Sequence, residues 1–525
     1  MARPRFVLLS SLAVAAIGVP TVALAHFERP TAFPDPAKGA VPKYRTSGPS
    51  LVVCKPDSRA RIEKMPAGAA RTRSLALLPR CTYRHIQEAV NQATNGTRIL
   101  VLPGIYREEP SRAAPDPDPL CAKLMVAAQD QPNVLVPSYE HQLYCPNEQN
   151  LIAILGDRDL DGACDAWCNL QIEGTGARPG DVVIESDKRK TVVLRADRAD
   201  GLVLRNFTVQ YARHDNVYVV ETNGYRIERI VSRWAGGYGV LTFTTDHGLY
   251  DGVVAYGNGD SGVYPGSAPE GDCKRYGIEI RNVESYGNLG GYSGTAGNSV
   301  WVHDSKFHDN VVGLITDSAV PGHPGMPQDC AKFDRNELTS NNLNPYTKQR
   351  LAYCTGKPFP ERNPRILCPQ LLFPVGTGIV ILGGNRNLVR RNWIAGNWRS
   401  GVSLYWVPAL ARGETDPALA NDTSHGNRFL ANRMGLRRNG RAAPNGVDFL
   451  WDGEGTRNCW QGNVAARGRK ITGDPSRLPR CPGRASFQPA DPEKFGELLA
   501  CINWNPRTMP FPKGCSWYVT PKKPR

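Results

Sequence analysis

Six residues between positions 213 and 264 have side chains that could carry out acid–base chemistry. They are Arg213, His214, Asp215, Arg233, Asp260 and Tyr264. His214 or Tyr264 could take up or release a proton, while Arg213 or Arg233 could neutralise a carboxylate of the reacting molecule. Asp215 and Asp260 could instead form a carboxyl pair, with one acid and one base or nucleophile. The alternative interpretation is that each is an ordinary turn or surface residue.

Four aspartates upstream have the spacing of a calcium-binding loop. Asp157, Asp159 and Asp161 take its first, third and fifth positions, a glycine follows, and Asp165 takes the ninth. Alternate carboxylates of this kind converge on one hard cation, so the loop predicts a structural Ca²⁺ site. Cys168 stands where an EF-hand has its last acid, so the loop is more similar to the aspartate-rich loops of thrombospondin-type calcium repeats. An aspartate-rich surface turn is the alternative.

The acid–base candidates lie in a stretch whose sequence repeats itself. Copies begin at Gly201, Gly224 and Gly248, and each has an alternating strand, a turn of Asn, Asp or Gly, and a second strand. A period of this length with strand-type alternation is typical of a solenoid. Because the unit contains only strands and turns, it predicts an all-β parallel β-helix of roughly ten rungs.

Stacking of the rungs would bring the candidates together. Matching points of adjacent rungs lie about 4.8 Å apart, so side chains far apart in sequence can converge. Val217, Val240 and Val263 should lie in one inward-facing column. The turns should contain a ladder of polar side chains that satisfies the backbone groups of each bend. Its expected members are Asn206, Asp251, Asn282, Asp304, Asn392 and Asn432.

The chain has four predicted parts. Residues 1–25 form a signal peptide, 26–80 a Pro-rich N-terminal arm, 81–472 the β-helix with inserted loops, and 473–525 a tail that contains Pro and Cys. Within the third part, Tyr83–Thr94 has an apolar stripe at helical spacing. We expect this helix to cap the N-terminal end of the coil, whose apolar cross-section would otherwise be exposed.

The predicted signal peptide places the protein outside the cytoplasm. Two arginines precede an apolar segment, and Ala23-Leu24-Ala25 is a cleavage pattern that leaves His26 as the first mature residue. We therefore expect a secreted or cell-surface protein without stable membrane insertion after cleavage. An uncleaved membrane anchor is the alternative.

Fourteen cysteines agree with this location. Their number is even and most lie in Pro/Gly-rich loops, which is typical of disulfides in an exported protein. Sequential neighbours are the simplest pairs, so the expected disulfides include Cys54–Cys81, Cys354–Cys368 and Cys501–Cys515.

A formal net charge of +15 favours negatively charged binding partners. An exported basic protein would seldom meet nucleic acid, so no nucleic acid partner is expected. Acidic polysaccharides, teichoic-type polymers and anionic membrane surfaces are the favoured contacts. A charge that only keeps the protein soluble is the alternative.

Two further groups of side chains stand out. A second candidate group comprises His303, Asp304, His308, Asp309 and Asp317. The favoured interpretation is that its two histidines are ordinary surface residues. Six aromatic residues of the last rungs could stack on sugar rings or pack inside the coil. They are Trp393, Trp398, Tyr405, Trp406, Trp451 and Trp460.

Two stretches resemble the right-handed parallel β-helix proteins of the pectate-lyase-like superfamily. They are the segment TYRHIQEAVNQATNGTRILVLPGIYRE at 82–108 and the rungs at 201–318. The resemblance extends over most of residues 80–470 and implies a right-handed coil. That superfamily includes lyases, hydrolases, epimerases, esterases and non-catalytic adhesins, so it does not fix a function. Arg213-His214-Asp215 is only partly similar to the D-P-H-D motif of alginate epimerases, because the first Asp and the Pro are absent.

Together these features predict a secreted protein that binds an extracellular, anionic polysaccharide. As an enzyme it would be a polysaccharide lyase, epimerase or glycoside hydrolase, with its site within residues 213–264. The alternative is a non-catalytic secreted or cell-surface protein whose rungs present loops to a partner.

Overall fold

Three long parallel β-sheets run along the computed structural model of this protein. The structure describes residues 27–486, 489–502 and 513–525, so the predicted signal peptide lies outside the described residues. Each rung contributes one strand to each sheet in turn, and each strand pairs in parallel with the matching strand of the next rung. The predicted all-β parallel β-helix is therefore confirmed.

The chain visits a first, a second and a third sheet in each rung. Within the described residues the first sheet has twelve strands: Ser50–Val53, Arg98–Val101, Gln171–Gly174, Leu202–Arg205, Asn223–Glu228, Asp246–Asp251, Ile278–Arg281, Val300–His303, Lys332–Asp334, Leu388–Arg390, Arg428–Leu430 and Cys459–Gln461. The second sheet comprises Gly104–Tyr106, Val182–Glu185, Thr208–Gln210, Val231–Arg233, Val254–Tyr256, Glu284–Tyr286, Lys306–His308, Glu337–Thr339, Trp393–Ala395, Arg433–Met434 and Val464–Ala465. The third comprises Asn150–Leu155, Val192–Asp197, Asp215–Val220, Val240–Phe243, Ser261–Gly266, Gly290–Thr295, Val312–Asp317, Thr377–Leu382, Ser400–Tyr405, Val447–Trp451 and Gly473–Asp474.

Short helices lie in the segments that precede, follow or interrupt the coil. The α-helices span Ser58–Glu63, Ala69–Leu77, Ile86–Asn91, Glu109–Arg112, Pro119–Lys123, Tyr139–Tyr144, Pro146–Gln149, Lys348–Gly356 and Pro492–Ile502. The 3₁₀ turns span Leu78–Arg80, Pro179–Asp181, Phe359–Glu361, Ala409–Arg412 and Pro417–Leu419. An antiparallel pair, Met125–Ala127 with Leu135–Pro137, lies in the insertion before the third sheet begins. None of the helices among the described residues has the length and apolar character needed to cross a bilayer.

Alternation of side chains explains the register of the coil. Val217 pairs with Val240, Val240 pairs with Val263, and all three are fully buried in the main core, as predicted. Their sequence neighbours point outward, since successive side chains of a strand face opposite sides of the sheet. Each outward position therefore repeats once per rung and forms a column on the surface.

Asparagine side chains occupy the turns between the sheets. The amide of one asparagine donates to the side-chain oxygen of its counterpart in the next rung; Asn392 Nδ2, for example, lies 3.0 Å from Asn432 Oδ1. Asn432 Oδ1 also accepts a 3.1 Å hydrogen bond from the backbone amide of Asn392, and Asn392 Nδ2 donates a 3.0 Å bond to the carbonyl of Phe333. The ladder thus satisfies backbone groups that a buried bend leaves without strand partners. The ladders comprise Asn336, Asn392, Asn432 and Asn463 at the first-to-second turn, Asn258, Asn288, Asn310, Asn341, Asn397 and Asn445 at the second-to-third turn, and Asn387, Asn427 and Asn458 at the third-to-first turn.

The predicted ladder is confirmed for Asn392 and Asn432 only. The other expected members lie one or two positions earlier in their rungs, and they are Asn206, Asp251, Asn282 and Asp304. Three of these four have positive φ angles, which Asn and Asp tolerate better than most residues. Their polar side chains therefore belong to the left-handed position of the turn or to the strand end, and not to the ladder inside it.

A short helix covers the N-terminal end of the coil. It spans Ile86–Asn91, which is shorter than the predicted Tyr83–Thr94. It packs against Ser50–Val53, Arg98–Val101 and Asn150–Leu155, strands at the ends of the first and third sheets. Its buried apolar side chains belong to the main core, which is the position expected of a cap.

All fourteen cysteines lie among the described residues and form seven disulfides. The predicted pairs Cys54–Cys81, Cys354–Cys368 and Cys501–Cys515 are confirmed. The remaining pairs are Cys121–Cys145, Cys164–Cys168, Cys273–Cys330 and Cys459–Cys481. All but one join cysteines within about thirty residues of each other, so they tie local loops to the coil.

Buried ion pairs hold the N-terminal arm on the outer face of the third sheet. Arg29 Nη2 lies 3.1 Å from Asp197 Oδ1 and 2.5 Å from Glu221 Oε2. Glu28 Oε2 lies 3.3 Å from Arg195 Nη2. These charged side chains are almost fully buried, so the attraction of their partners offsets the cost of removing each charge from water.

The same face is covered further along by two other segments. Residues 343–374 and the helix Pro492–Ile502 pack on it through a second apolar cluster, which also includes Trp517 and Tyr518 of the tail. The third sheet is therefore buried on both sides over much of its length. The outer face of the second sheet carries half-buried aromatic and charged side chains instead.

Candidate functional site

The turns between the second and third sheets bring four of the six predicted acid–base residues together. His214 Nδ1 lies 2.9 Å from Asp215 Oδ1, which also accepts a 3.3 Å hydrogen bond from the backbone amide of Tyr238. The ring of His214 meets that of Tyr238 edge-on, with ring centres 5.9 Å apart, and Tyr238 stacks on Tyr264 with ring centres 4.7 Å apart. The acid–base cluster is defined as His214, Asp215, Tyr238, Tyr264 and Asp260.

Asp260 is the buried carboxyl group of the acid–base cluster. The Ser261 hydroxyl donates a 2.9 Å hydrogen bond to its Oδ1, and the Tyr238 hydroxyl also interacts with the carboxyl group. Burial raises the pKa of Asp260 to about 7, against the lowering effects of Ser261 and His214. A carboxyl group that titrates near neutrality can donate or accept a proton at physiological pH.

Close stacking of these turns depends on a glycine. A Cβ atom at Gly236 would lie 1.9 Å from the carbonyl oxygen of Arg213 and 2.8 Å from a ring carbon of Phe359. No side chain fits in that space, so glycine allows this rung to pack directly on the rung of His214. Gly236 is thus a requirement of the site.

An inserted segment covers the acid–base cluster. Gln370, in the segment 343–374, donates hydrogen bonds of 2.9 and 2.8 Å to two glycine carbonyls of the turns. Leu371 packs against the buried apolar group that includes Tyr238 and Tyr264. The Asp260 side chain is sealed beneath this segment, while the His214 side chain remains 26% exposed. Solvent therefore meets the cluster at His214.

The other two predicted residues lie outside the acid–base cluster. Arg213 is exposed, and its Nε donates a 3.2 Å hydrogen bond to the carbonyl of Lys188. Arg233 lies on the outer face of the second sheet, where Nε donates a 2.7 Å hydrogen bond to Gln210 Oε1 and Nη1 donates a 3.0 Å bond to the Tyr256 hydroxyl. Neither arginine forms an ion pair with a carboxylate of the described residues, so both charges remain available to an anion.

Five rings form a continuous strip at the outer edge of the second sheet. The aromatic strip comprises Tyr211, Trp234, Tyr256, Tyr286 and His308, all half-buried. Trp234 stacks on Tyr211 and meets Tyr256 edge-on, with distances of 5.5 and 5.7 Å between the ring centres. Tyr286 stacks between Tyr256 and His308 at 5.0 and 5.2 Å. Because each ring belongs to a different rung, the strip runs along the axis of the coil.

Cationic groups border the aromatic strip. The guanidinium carbon of Arg233 lies 4.4 Å from the centre of the Trp234 ring, and that of Arg365 lies 5.9 Å from it. A hydrogen bond to Asp309 raises the pKa of His308, which keeps its positive charge to higher pH. The strip therefore combines apolar ring surface with positive charge.

The predicted calcium loop brings three of its four carboxylates together. Carboxylate oxygens of Asp157, Asp159 and Asp161 lie within 4.8 Å of one another. The Asp165 oxygens instead accept hydrogen bonds of 3.1 Å from two loop amides. Arg198 Nη1 lies 2.5 Å from Asp157 Oδ2 and compensates part of the negative charge.

The second candidate group is divided among the three sheets. His303 lies beside Asp304 on the first sheet and His308 beside Asp309 on the second, at 2.7 and 2.8 Å. Asp317 is buried on the third sheet. These side chains do not form one site.

The aromatic residues of the last rungs also divide into two sets. Tyr405, Trp451 and Trp460 are buried, and the two tryptophans belong to the main core. Trp393, Trp398 and Trp406 are half-buried. Packing therefore accounts for the first set, and the second set leaves ring surface accessible.

Sequence analysis missed Tyr238 and the aromatic strip. Tyr238 lies outside the repeated strand pattern, and only the stacked rungs reveal its contacts with the acid–base cluster. For the strip a signal was available, since Tyr211 and Trp234 are one rung apart, as are Tyr256 and Tyr286. Aromatic residues that recur at the rung interval on one outward column indicate a stacked surface.

Comparisons with known proteins concern the fold alone. No family model matches the chain, and no curated protein matches it. The A-module of the mannuronan C-5 epimerase AlgE4 of Azotobacter vinelandii is similar over 77% of this chain and 94% of its own, with 11% identity and a TM-score of 0.38. Pectate lyase Pel9A is similar over 69% and 78%, with 10% identity and a TM-score of 0.34. The Dettilon tailspike protein is similar over 57% and 52%, with 10% identity and a TM-score of 0.36. At such low identities and TM-scores, these similarities give no information about the functional site.

The raised pKa of Asp260 predicts a pH-dependent effect of Asp260→Asn on stability. Between the unfolded value of 3.8 and the folded value of about 7, the folded state binds more protons, so stability falls as pH rises. The slope from this one group is at most about 1.4 kcal/mol per pH unit. Asparagine does not titrate, so the melting temperature of the variant should rise relative to the wild type between pH 5 and pH 8.

The exposed variant Asp116→Asn is the control for this measurement, because its side chain makes no buried contact. Its melting temperature should follow that of the wild type at both pH values. A difference between Asp260→Asn and the wild type that stays constant from pH 5 to pH 8 would contradict the assigned pKa.

Proposed function

We propose that this protein binds an acidic extracellular polysaccharide along the aromatic strip. The observation that carries the proposal is the arrangement around Trp234, a half-buried indole flanked by Arg233 and Arg365. Aromatic faces provide flat apolar contact for sugar rings, and arginines that lack carboxylate partners attract acidic groups. A neutral glycan would not need the second feature.

The direction of the aromatic strip suits a polymer. Its rings follow one another from rung to rung, so a chain laid on them would contact several rungs at once. Multiple weak contacts of this kind add to one affinity because the sugars are linked. The net charge of +15 favours the approach of a polyanion from a distance.

The proposed setting is outside the cell. Seven disulfides among the described residues are compatible with an oxidising compartment. The predicted signal peptide at residues 1–25 would direct the chain there.

Acid–base catalysis on the bound polymer is the second candidate function. It is favoured by the neighbourhood of His214, Asp215 and a carboxyl group, Asp260, whose pKa of about 7 suits proton transfer. In a lyase or epimerase, His214 would remove the proton next to the sugar carboxylate, and Arg213 would neutralise that carboxylate. The segment 343–374 would have to move for the substrate to reach Asp260. A protein that only binds the polymer is the alternative.

The aspartate loop is proposed to hold a structural Ca²⁺. Asp157, Asp159 and Asp161 present converging oxygens, which is the ligand type that Ca²⁺ prefers. The pKa of Asp159 is raised, because desolvation and repulsion from Asp161 and Asp165 outweigh the hydrogen bond from the Asp161 amide. A bound cation would relieve this repulsion. Asp165 would fix the loop backbone and not act as a ligand.

Replacing Trp234 by alanine should weaken polysaccharide binding about tenfold, which corresponds to about 1.4 kcal/mol of lost contact. Isothermal titration calorimetry with polygalacturonate, alginate and a neutral glucan would measure it. The matched control is Trp301→Ala, which removes an indole with a cation, Lys332, 4.1 Å from its ring on the first sheet. Equal binding by the wild type and Trp234→Ala would exclude the aromatic strip as the binding surface.

Replacing His214 by alanine should abolish most turnover, with a loss of about 100-fold or more in rate and little change in binding. Ultraviolet absorbance of unsaturated products would report a lyase, and proton NMR would report epimerisation. His247→Ala is the control, since His247 also lies next to an aspartate but in the first-sheet strand Asp246–Asp251. Binding by the wild type without any product from either assay would favour the non-catalytic alternative.

Calcium should raise the melting temperature of the wild type, and a chelator should reverse the effect. At a calcium concentration of 100 times the dissociation constant, the stabilisation is about 2.7 kcal/mol. The double variant Asp159→Asn/Asp161→Asn should lose both the calorimetric binding heat and the shift. Absence of binding heat in the wild type would end the calcium proposal.

A further inference from the structure

A groove of about 520 Å³ opens at the second-to-third turn of the later rungs. It lies on the same side of the coil as the aromatic strip but closer to the C-terminal end. The name basic groove is used for its chemistry-bearing lining residues, which are Asp309, Asn342, Trp398, Arg437, Arg441 and Lys523.

Small residues at one repeated turn position leave room for the basic groove. In earlier rungs the left-handed position of this turn carries the rings of Tyr211 and Trp234. In the later rungs the same column continues through Asp309 to Ser340 and Gly396, which line the groove. The column already lacks a ring at Gly257 and Gly287, and at Ser340 and Gly396 its small residues line the groove.

Two segments from outside the regular rungs form the walls of the basic groove. One is the hairpin in which Leu436 pairs with Ala442 and the Arg437 amide donates a 2.9 Å hydrogen bond to the carbonyl of Arg441. The other is the end of the tail, which contributes Lys523. The groove is therefore built by parts of the chain that are distant in sequence.

The charges of the basic groove are unbalanced. Arg437, Arg441 and Lys523 form no ion pair with any carboxylate in the part of the chain that the structure describes, and Arg437 Nη2 donates a 2.6 Å hydrogen bond to Ser340 Oγ. Asp309 is the acidic residue of the lining, and it is held by His308 Nδ1 at 2.8 Å. Three cations thus face one carboxylate that already has a partner, which favours an anionic ligand.

Trp398 adds a ring to these charges. It is half-buried, and its backbone amide donates a 2.8 Å hydrogen bond to Asn342 Oδ1. The Asn342 amide in turn donates a 2.8 Å bond to the carbonyl of Gly396, so the backbone that carries the indole is tied to two other lining residues of the groove. The groove thus combines an indole with arginines, as does the surface around Trp234 in the aromatic strip.

The aromatic strip leads into the basic groove. His308 is the last ring of the strip, and the next residue, Asp309, lines the groove. We infer that the basic groove binds an anionic sugar unit, through its carboxylate or sulfate group, at one end of the segment that lies on the strip. The inference rests on the proposed function and adds a separate site to it, which selects acidic over neutral sugars.

Short oligosaccharides test the groove independently of the strip. Calorimetry would use a galacturonic acid trisaccharide, its neutral methyl ester and a sulfated trisaccharide. The wild type should bind at least one of the two acidic probes and not the ester. Arg437→Ala/Arg441→Ala should weaken that binding about tenfold or more, equivalent to about 1.4 kcal/mol. Which acidic probe binds identifies the anion.

Two further double variants keep the result interpretable. Arg438→Ala/Arg477→Ala removes the same charge from exposed sites outside the groove and should bind like the wild type. Arg441→Ala/Lys523→Ala removes only exposed groove cations, so it should fold normally even if loss of the Arg437–Ser340 bond disturbs the first variant. Wild-type affinity in both groove variants would overturn the inference.

The proposed function can fail separately. If polymer binding survives Trp234→Ala but the groove variants no longer bind the acidic trisaccharide, the groove inference is supported and the proposal for the strip is wrong. If Trp234→Ala weakens polymer binding and no acidic trisaccharide binds to the wild type, the strip stands and the groove inference is wrong.

Discussion

The stacking of one rung directly on the next depends on the asparagine ladders in the turns. A buried turn leaves backbone amides and carbonyls without strand partners, and an unpaired buried polar group costs about as much as a lost hydrogen bond. Asn341 meets this need, because its Oδ1 accepts from the backbone amide of Asn310 and its Nδ2 donates to the carbonyl of Phe307. Its side chain also accepts from the side-chain amide of Asn310 and donates to the side-chain oxygen of Asn397. The second of these contacts joins residues 56 positions apart, whereas the first joins residues 31 apart. The ladder therefore keeps the register whatever length of chain is inserted between two rungs.

This tolerance explains why each face of the coil has a different character. Insertions after Ser340 and before Asn150 fold back over the third sheet, where they bury charged and tyrosine side chains. Burial is what raises the pKa of Asp260, so the acid–base properties of that face are a consequence of its cover. The second sheet keeps an accessible outer edge, and there the outward columns can present rings and cations to a ligand. Loops vary and carry function because the coil beneath them does not depend on them.

The sequence predicted those features that follow from the repeat itself. The inward column of Val217, Val240 and Val263 requires only correct counting of the rung, and three disulfides join close neighbours in sequence. The ladder was assigned one or two positions too early in four cases, because the turns share Asn and Asp at adjacent positions. Side-chain direction in a strand changes with every residue, so Arg233 could not be separated from the acid–base cluster without the exact strand ends. The basic groove joins residues 309 to 523, and no local pattern indicates such a contact.

The aromatic strip and the acid–base cluster are mechanically connected, because one segment touches both. Arg365 lies over Trp234 of the strip, while Gln370, five residues later, is hydrogen-bonded over the turns that contain Asp260. The Cys354–Cys368 disulfide closes the stretch that contains Arg365 into a short loop, which ends two residues before Gln370. An acidic polymer bound on the strip, as proposed above, would compete with Trp234 for the guanidinium of Arg365, because a carboxylate is the stronger partner. Such binding on the outside of the second sheet would therefore act on the same segment that covers Asp260.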